Sequence, residues 1–296
     1  MNQSTDTNEK QLRLPSLERH PFEPRALKSI ILSTITVCAA ILACVPLFSV
    51  LIMLLYRGGK RLTPELFYGL PPTAFDIGGG FGNAIVGTLF MVGVAAVLSV
   101  PFGILAAIYL AELGPDSKVA TACRFCAKML SGLPSILAGV FAYAAVVLVM
   151  GSYSAWAGGV ALSLLMLPVV MLTTEETIRM VPMPMKEAAF GMGCTPAQAM
   201  TKVILPVAMP GIITGVMLAV ARAAGETAPL LFTALFSDYW LRPNEPTASL
   251  AVLIYNYSGM PFPNQIELAW AASLVLVALV FCLNIISRAI GRRKRI

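Results

Sequence analysis

An arginine and a glutamate stand four positions apart inside an otherwise apolar stretch that reads LAVARAAGETAPLLFTALF. These residues, Arg222 and Glu226, share one face if the stretch is helical, so their side chains can contact each other. A charged side chain at the centre of a membrane-spanning helix costs about 2.5–3.5 kcal/mol on insertion scales. Two such charges therefore require a structural partner or a function.

Two interpretations of this pair remain open on physical grounds. In the first, it is an ion pair that fixes the packing of its helix against the neighbouring helices. In the second, Arg222 faces a solute path, where its planar guanidinium offers two parallel hydrogen bonds to a tetrahedral oxyanion. Glu226 would then orient Arg222 or pair with a basic residue of a partner, because an ionised carboxylate repels an anion. Pro229 has no N–H and therefore frees a backbone carbonyl near Gly225.

Ser135 is a further candidate for the path. It stands in Leu133-Pro134-Ser135, which opens the third predicted span, and kinked spans with exposed backbone groups can line a polar pathway. Its hydroxyl would donate a hydrogen bond to a passing anion. A plain packing role between helices is the alternative for this residue.

Motifs for covalent chemistry are missing from the sequence. It contains no G-x-x-x-x-G-K-[ST], no H-E-x-x-H and no G-x-S-x-G, and His20 is its single histidine. Cys123 and Cys126 form one C-x-x-C pair, which does not complete a usual zinc shell. We therefore expect no catalytic residue, no metal site and no cofactor, and we expect the energy for any transport to come from a partner.

The composition predicts a membrane protein. Apolar residues make up 57% of the 296 residues and charged residues 12%, with a mean hydropathy of +0.79, whereas soluble domains carry about 25% charged residues. Because a spanning helix requires about 20 apolar residues, we predict an all-α integral membrane protein with six transmembrane helices in one domain, 29–296. The predicted spans are 29–55, 83–111, 131–150, 155–174, 207–236 and 267–288.

The positions of Lys and Arg predict the orientation of these spans. If the N-terminus is inside, most of the 21 Lys and Arg residues fall on inner segments, and Arg57, Lys60, Arg61 and Arg242 fall on outer ones. Both termini are then cytoplasmic, as an even number of spans requires. The net charge of +6 thus reflects topology and not nucleic-acid binding. The polar first 28 residues predict a disordered cytoplasmic tail.

Between the fourth and fifth spans lies the segment EAAFGMGCTPAQAMTKVILP, which predicts two short helices that meet at a bend. Gly191 and Gly193 end the first helix. Thr195 is placed to cap the second helix, and Gln198, three residues later, completes the spacing of a capping box. Pro206 is expected to end the second helix.

The same segment resembles the EAA loop of ABC-importer permeases. The matching residues are Glu187, Ala188, Ala189, Gly193, Leu205 and Pro206, and Val203 replaces the commoner Ile. In that family the loop is a coupling helix that sits in a groove on a separate ATPase subunit. The resemblance implies a cytoplasmic coupling loop over 175–206 and the type I ABC importer permease fold. An ordinary pair of interfacial helices is the alternative.

A longer resemblance connects the chain with the A-type permease subunits of phosphate-specific ABC importers. It rests on ARAAGETAPLLFTALF and on similar segments in the same order at Phe75–Phe90, Ser99–Leu113, Leu133–Tyr143 and Thr173–Pro182. The likeness runs from about Phe75 to Ala234. It implies that Arg222 and Glu226 lie at a phosphate path.

The resemblance also implies partners and a location. The partners are a homologous C-type permease subunit, a dimer of ATP-binding subunits and an extracytoplasmic phosphate-binding protein, and ATP is bound by the partner ATPase. The location is the lipid bilayer of a bacterial inner membrane. Alternatives are a permease for another oxyanion such as sulfate or molybdate, a secondary transporter or channel, and a phosphate-sensing membrane subunit without transport.

Overall fold

In the computed structural model, which describes residues 24–73, 75–76 and 78–293, every regular element is a helix or a helical turn. The prediction of an all-α fold is therefore confirmed. Most of the predicted tail, 1–28, lies outside the described residues. Its final residues, from Pro24 onward, already belong to the first helix.

The helices are numbered in chain order. They are α1 Pro24–Gly59, α2 Glu65–Tyr68, α3 Gly82–Ile108, α4 Lys118–Gly132, α5 Ser135–Ala142, α6 Leu148–Met150, α7 Ala155–Arg179, α8 Met183–Gly191, α9 Pro196–Ala199, α10 Leu205–Ala224, α11 Ala228–Thr233, α12 Leu250–Ser258 and α13 Pro263–Arg293. Three wider π-helical turns extend or join them, at Tyr109–Leu113, Tyr143–Val147 and Met200–Ile204.

Five helical stretches in the described part of the chain are long and apolar enough to cross a membrane. They are Leu27–Gly59, Gly82–Leu113, Ala155–Arg179, Pro196–Ala224 and Pro263–Ile286. A sixth candidate is the pair formed by α4 and the stretch Ser135–Met150, which is bent by 107°. The bend lies at Leu133 and Pro134. Leu133 is extended, because a proline disfavours the helical conformation of the residue before it.

The fifth predicted span, 207–236, is not one continuous helix in the structure. Helix α10 ends at Ala224, and the short helix α11 follows only from Ala228. Two local causes act together. Gly225 is a poor helix former, and Pro229 has no N–H to donate to the carbonyl of Gly225. The break consequently falls at the charged pair.

Within the described part of the chain, residues 24–52 form one unit, and the residues from Met53 onward form a second. The second unit is organised around α7, which is largely buried and packs against α3, α10 and α4. Helices α3 and α7 approach closely because a glycine lies between them: a Cβ added to Gly103 would lie 2.8 Å from Cγ1 of Val170. This packing holds the helices that carry both candidate sites.

Candidate anion path and coupling surface

The break between α10 and α11 is a tight, non-helical turn. The N–H of Gly225 donates to the carbonyl of Arg222 at 3.1 Å, and the N–H of Glu226 donates to the carbonyl of Ala223 at 3.2 Å. Both bonds span three residues instead of the four of an α-helix. Arg222 therefore lies in the last turn of α10, and Glu226 lies just outside it. Non-helical backbone at membrane depth is tolerated only where it is buried in protein or lines a water-filled cavity.

Arg222 and Glu226 contact each other, as their spacing predicts. Nε of Arg222 lies 3.4 Å from Oε1 of Glu226, and the arginine side chain is 50% exposed while the glutamate side chain is 17% exposed. This is a single long contact and not a bidentate pair. Within the described part of the chain, the two Nη atoms of Arg222 have no hydrogen-bond acceptor. The guanidinium thus keeps its planar pair of donors for another ligand.

Ser135 is the first residue of α5 and is partly exposed. Helix α5 packs against α11 closely, since a Cβ added to Gly139 would lie 2.6 Å from Cα of Pro229. Ser135 and Gly139 are four residues apart and share a face of α5. The serine therefore lies on the side of α5 that faces the helix following the break, although it does not hydrogen bond to Arg222 or Glu226.

The predicted bend in the EAA segment is present. Helix α8 ends in a paired carbonyl cap, in which Gly193 N–H donates to Phe190 at 2.9 Å and Cys194 N–H donates to Ala189 at 3.1 Å. This Schellman arrangement requires a left-handed residue after the helix, and Gly193 has φ = 80°. Because glycine has no Cβ, it adopts this conformation without strain.

The start of α9 is the predicted capping box. The Thr195 hydroxyl accepts from the N–H of Gln198 at 3.3 Å, and the Gln198 side chain accepts from the N–H of Thr195 at 3.0 Å. These two bonds satisfy donors that a helix start leaves without partners. The bend between α8 and α9 is thus fixed by local hydrogen bonds on both of its sides.

Pro206 does not end the second helix, so that prediction was wrong. A π-helical turn at Met200–Ile204 follows α9, and α10 continues from Leu205 with Pro206 in its first turn. The wider turn places the N–H of Leu205 on the carbonyl of Met200. The π-helical turn therefore changes the backbone hydrogen-bonding pattern just before Pro206, which has no N–H to donate. The chain remains helical through the proline for this reason.

The two-helix loop presents an apolar surface. Met180, Met183, Phe190 and Met192 are each exposed over half or more of their area. Glu187 and Ala188 are exposed beside them, whereas Ala189 is buried. Exposed apolar clusters of this kind mark protein or membrane contacts, and methionine adapts well to a partner surface. We call this group of four side chains the α8 surface.

A cluster of three charged residues, Arg124, Glu175 and Arg179, was not recognised in the sequence. Nε of Arg124 donates to Oε1 of Glu175 at 2.7 Å, and Nη2 of Arg179 lies 2.9 Å from the same oxygen. Arg124 also donates to the carbonyls of Leu110 and Pro115 at 2.7 Å and 2.9 Å. The cluster ties α4 and α7 to the end of the α3 stretch. The spacing of four residues between Glu175 and Arg179 was a signal that these two side chains pair. No local pattern indicated that Arg124 joins them.

A second unrecognised ion pair joins the candidate coupling loop to the turn that extends α3. Nζ of Lys186 in α8 donates to Oε1 of Glu112, which lies in the π-helical turn that extends α3. Both side chains are largely buried, with 11% and 23% exposed. The candidate coupling loop is therefore connected by an ion pair to the extension of a spanning helix.

Spanning helices, one of them broken at a charged pair, and a two-helix loop with an exposed apolar surface define a permease subunit of a transporter. Residues 99–296 match the family described as binding-protein-dependent transport system inner membrane component. The chain belongs to that family.

Several relatives are similar over most of their length. The phosphate transport system permease protein PstA of Haemophilus influenzae is 41% identical over 83% of this chain and 87% of its own. PstA of Yersinia pestis is 40% identical over 81% of each chain. A probable PstA of Methanocaldococcus jannaschii is 36% identical over 86% of this chain and 90% of its own.

Solved structures show the same fold. An inward-facing MetNI methionine ABC transporter has a TM-score of 0.61 at 22% identity, covering 73% of this chain and 96% of its own. A bacterial alginate ABC transporter, solved with a pentasaccharide-bound periplasmic protein, has a TM-score of 0.65 at 14% identity, covering 93% and 98%. The predicted ABC importer permease fold is confirmed.

Proposed function

We propose that this chain is the membrane-spanning permease subunit of an ATP-driven importer of inorganic phosphate. The observation that carries the proposal is the half-exposed guanidinium of Arg222 at the break of a spanning helix. It lies in a chain whose relatives at 36–41% identity are phosphate transport permeases. The chain is a transport subunit and not an enzyme.

Arg222 recognises the anion in this proposal. Its two Nη atoms form a planar donor pair that matches two oxygens of phosphate. The contact with Glu226 is made through Nε, so that the Nη pair has no acceptor within the described part of the chain. Glu226 is accordingly a positioning residue. Ser135, on the face of α5 next to α11, contributes a hydroxyl donor to the same path.

The energy comes from ATP bound and hydrolysed by a partner subunit, and this chain holds no cofactor of its own. The α8 surface docks onto that ATPase, with Glu187, Ala188 and Ala189 in the contact helix. Gly193 keeps the bend. Leu205 and Pro206 begin α10, and Arg222 lies in the last turn of the same helix. A displacement of the loop therefore reaches the anion path along one rigid element.

The complete importer contains further proteins in this proposal. A homologous C-type permease forms the other half of the path, a dimer of ATPases binds both coupling loops, and an extracytoplasmic phosphate-binding protein delivers the anion. The complex lies in a bacterial inner membrane with both termini of this chain in the cytoplasm. Alternation between inward-open and outward-open states then moves phosphate inward.

Competition for uptake tests the substrate. Cells in which this chain belongs to the sole high-affinity phosphate importer are given radiolabelled phosphate with an excess of unlabelled phosphate, sulfate or molybdate. We expect only unlabelled phosphate to suppress the uptake of label. Suppression by sulfate or molybdate at equal concentration would reject phosphate specificity. Copurification of an ATPase with the tagged chain tests the energy source independently.

A further inference from the structure

A cavity of about 620 Å³ lies between the last turn of α1, the loop after it and the start of α13. It is separate in sequence from Arg222 and from the coupling loop. Its walls include three basic and two acidic side chains together with an indole. They are Arg57, Lys60, Arg61, Glu65, Glu267 and Trp270.

One of the basic residues is part of the framework. Nη1 of Arg61 donates to the carbonyl of Asn264 at 2.8 Å, and Nη2 donates to the carbonyl of Gly78 at 2.7 Å. Its contact with Glu267 is longer, 3.4 Å. The arginine side chain is only 15% exposed. Arg61 therefore holds the cavity together and has little capacity left for a ligand.

The other two basic residues are held in place by aromatic rings. Cζ of Arg57 lies 5.4 Å from the ring centroid of Trp270, and Nζ of Lys60 lies 4.0 Å from that of Tyr56. Neither cation has a carboxylate partner among the described residues. A cation–π contact positions a charge without using up its N–H donors in hydrogen bonds to oxygen. Arg57 and Lys60 can thus bind an anionic group.

The acidic residues make the cavity unsuitable for an anion alone. The side chain of Glu267 is 67% exposed and has only the long contact with Arg61, and Glu65 forms no ion pair within the described part of the chain. A free phosphate would be repelled by these two carboxylates. A molecule that carries both a phosphate and a protonated amine would satisfy both sets of charges.

The cavity also lies at the level of a membrane surface. Gly59 ends one candidate span and Pro263 begins another, and the cavity is formed where these two ends meet. A Cβ added to Gly58 would lie 2.7 Å from the carbonyl of Trp270, so the two helices touch at this point. Tyr and Trp are enriched at the membrane–water interface. Tyr56 and Trp270 therefore place the cavity among lipid headgroups.

We infer that this cavity binds the headgroup of a phospholipid of the phosphoethanolamine type. Arg57 and Lys60 bind the phosphate diester, and Glu65 and Glu267 accept hydrogen bonds from the ammonium group. The site is independent of the transported anion. It would join the end of α1 to α13 through a lipid.

Native mass spectrometry of the delipidated full-length protein, with any subunits that copurify, tests this site. The probes are dioleoyl phosphatidylethanolamine, the corresponding phosphatidylglycerol and phosphatidylcholine, and inorganic phosphate. We expect phosphatidylethanolamine to bind best, because the glycerol headgroup has no cation and the choline cation has no N–H donor. Inorganic phosphate at millimolar concentration should not displace it.

Variants assign the binding to the cavity. Arg57→Gln and Lys60→Gln should each weaken phosphatidylethanolamine binding about five- to tenfold, as expected for one charge-assisted hydrogen bond. Glu267→Gln should remove the preference for phosphatidylethanolamine over phosphatidylglycerol. Arg242→Gln, which changes another arginine outside the spans, is the matched control and should bind normally.

Several outcomes would overturn the inference. They are equal binding of phosphatidylethanolamine and phosphatidylglycerol, displacement by inorganic phosphate, or unchanged binding by both cation variants. If Arg57→Gln fails to fold, its thermal midpoint will reveal this and Lys60→Gln carries the test. Phosphate uptake is measured in parallel, so a failure of lipid binding is distinguishable from a failure of the transport proposal.

Discussion

Lys186 of α8 forms an ion pair with Glu112 at the end of the α3 stretch, and both side chains are largely buried. The residue directly after Lys186 is Glu187, which begins the EAA segment. Glu112 lies in a π-helical turn, a type of element that is often found at functional sites. The pair therefore connects the α8 surface to a spanning helix without passing through the bend at Gly193.

We predict that Lys186→Met uncouples ATP hydrolysis from transport. The change leaves Glu112 without its partner and removes the ionic connection, and coupling changes of about 1 kcal/mol alter rates about fivefold. Phosphate uptake per ATP hydrolysed should fall by about that factor in reconstituted vesicles. The double variant Lys186→Glu with Glu112→Lys should recover much of it. No recovery by the charge exchange, with both proteins folded, would contradict a role for the pair.

Local structure in the coupling loop followed from the sequence because its causes are local. The cap at Gly193 and the box at Thr195 depend on bonds between residues three to five positions apart, and both were predicted. Leu133-Pro134-Ser135 was predicted to open the third span. The bend of 107° found there was not predicted, because it depends on how the flanking helices pack.

The features that were missed depend on distant parts of the chain. Arg124 and Glu175 are 51 positions apart, and only the packing of α4 on α7 brings them together. The helix continues through Pro206 because a π-helical turn precedes it, and such a turn has no sequence pattern of its own. In the fifth span, Pro229 indicated a freed carbonyl near Gly225, but the extent of the break was not predicted, because hydropathy reports membrane depth and not helix continuity.

We predict that Gly193→Ala impairs coupling and that Gly191→Ala does not. Gly193 has φ = 80°, where a Cβ costs about 1–2 kcal/mol. Gly191 is the last residue of α8, and a Cβ there would meet no atom within 4 Å. ATPase copurification and phosphate uptake should both fall in the first variant and remain in the second. Equal behaviour of the two would show that the left-handed bend is not required for docking.

Glu175→Gln should destabilise the fold strongly. The carboxylate is 7% exposed and neutralises both Arg124 and Arg179, and removing one partner of a buried ion pair costs about 3–5 kcal/mol. The thermal midpoint of the purified protein should fall by several degrees. Glu176→Gln is the matched control, because Glu176 is exposed and its neighbour is not. A midpoint unaltered by Glu175→Gln would mean that the cluster contributes no net stability.

The stability of the protein should depend on pH because of Asp238, which lies in the loop before α12. Burial raises the pKa of Asp238, and burial together with the charge of Asp238 raises the pKa of Tyr257 to about 12. The folded state therefore favours the protonated carboxyl, so stability falls as pH rises from the unfolded pKa of about 3.9 through the folded one. Asp238→Asn should raise the thermal midpoint at pH 7 and have little effect near pH 3.5. The same gain at both values would contradict a titration effect.

We predict that Arg222→Gln reduces phosphate uptake about ten- to a hundredfold without loss of assembly. Hydrogen bonds to charged groups contribute about 1.5–3 kcal/mol, so the variant should bind phosphate much more weakly. The half-exposed ion pair with Glu226 contributes only about 0–1 kcal/mol to stability, so the variant should still fold. Arg222→Lys retains the charge without the planar donor pair and should transport at an intermediate rate. Uptake of radiolabelled phosphate and copurification of the ATPase are measured on the same membranes.

Glu226→Gln separates the two interpretations of the charged pair. If Arg222 faces the path, this variant alters the orientation of the guanidinium and lowers uptake less than Arg222→Gln does, with an unchanged thermal midpoint. If the pair is purely structural, both single variants lower the thermal midpoint and assembly to the same extent, since each breaks the same contact. Normal uptake by Arg222→Gln would reject the path role outright, and the break between α10 and α11 would then serve only helix packing.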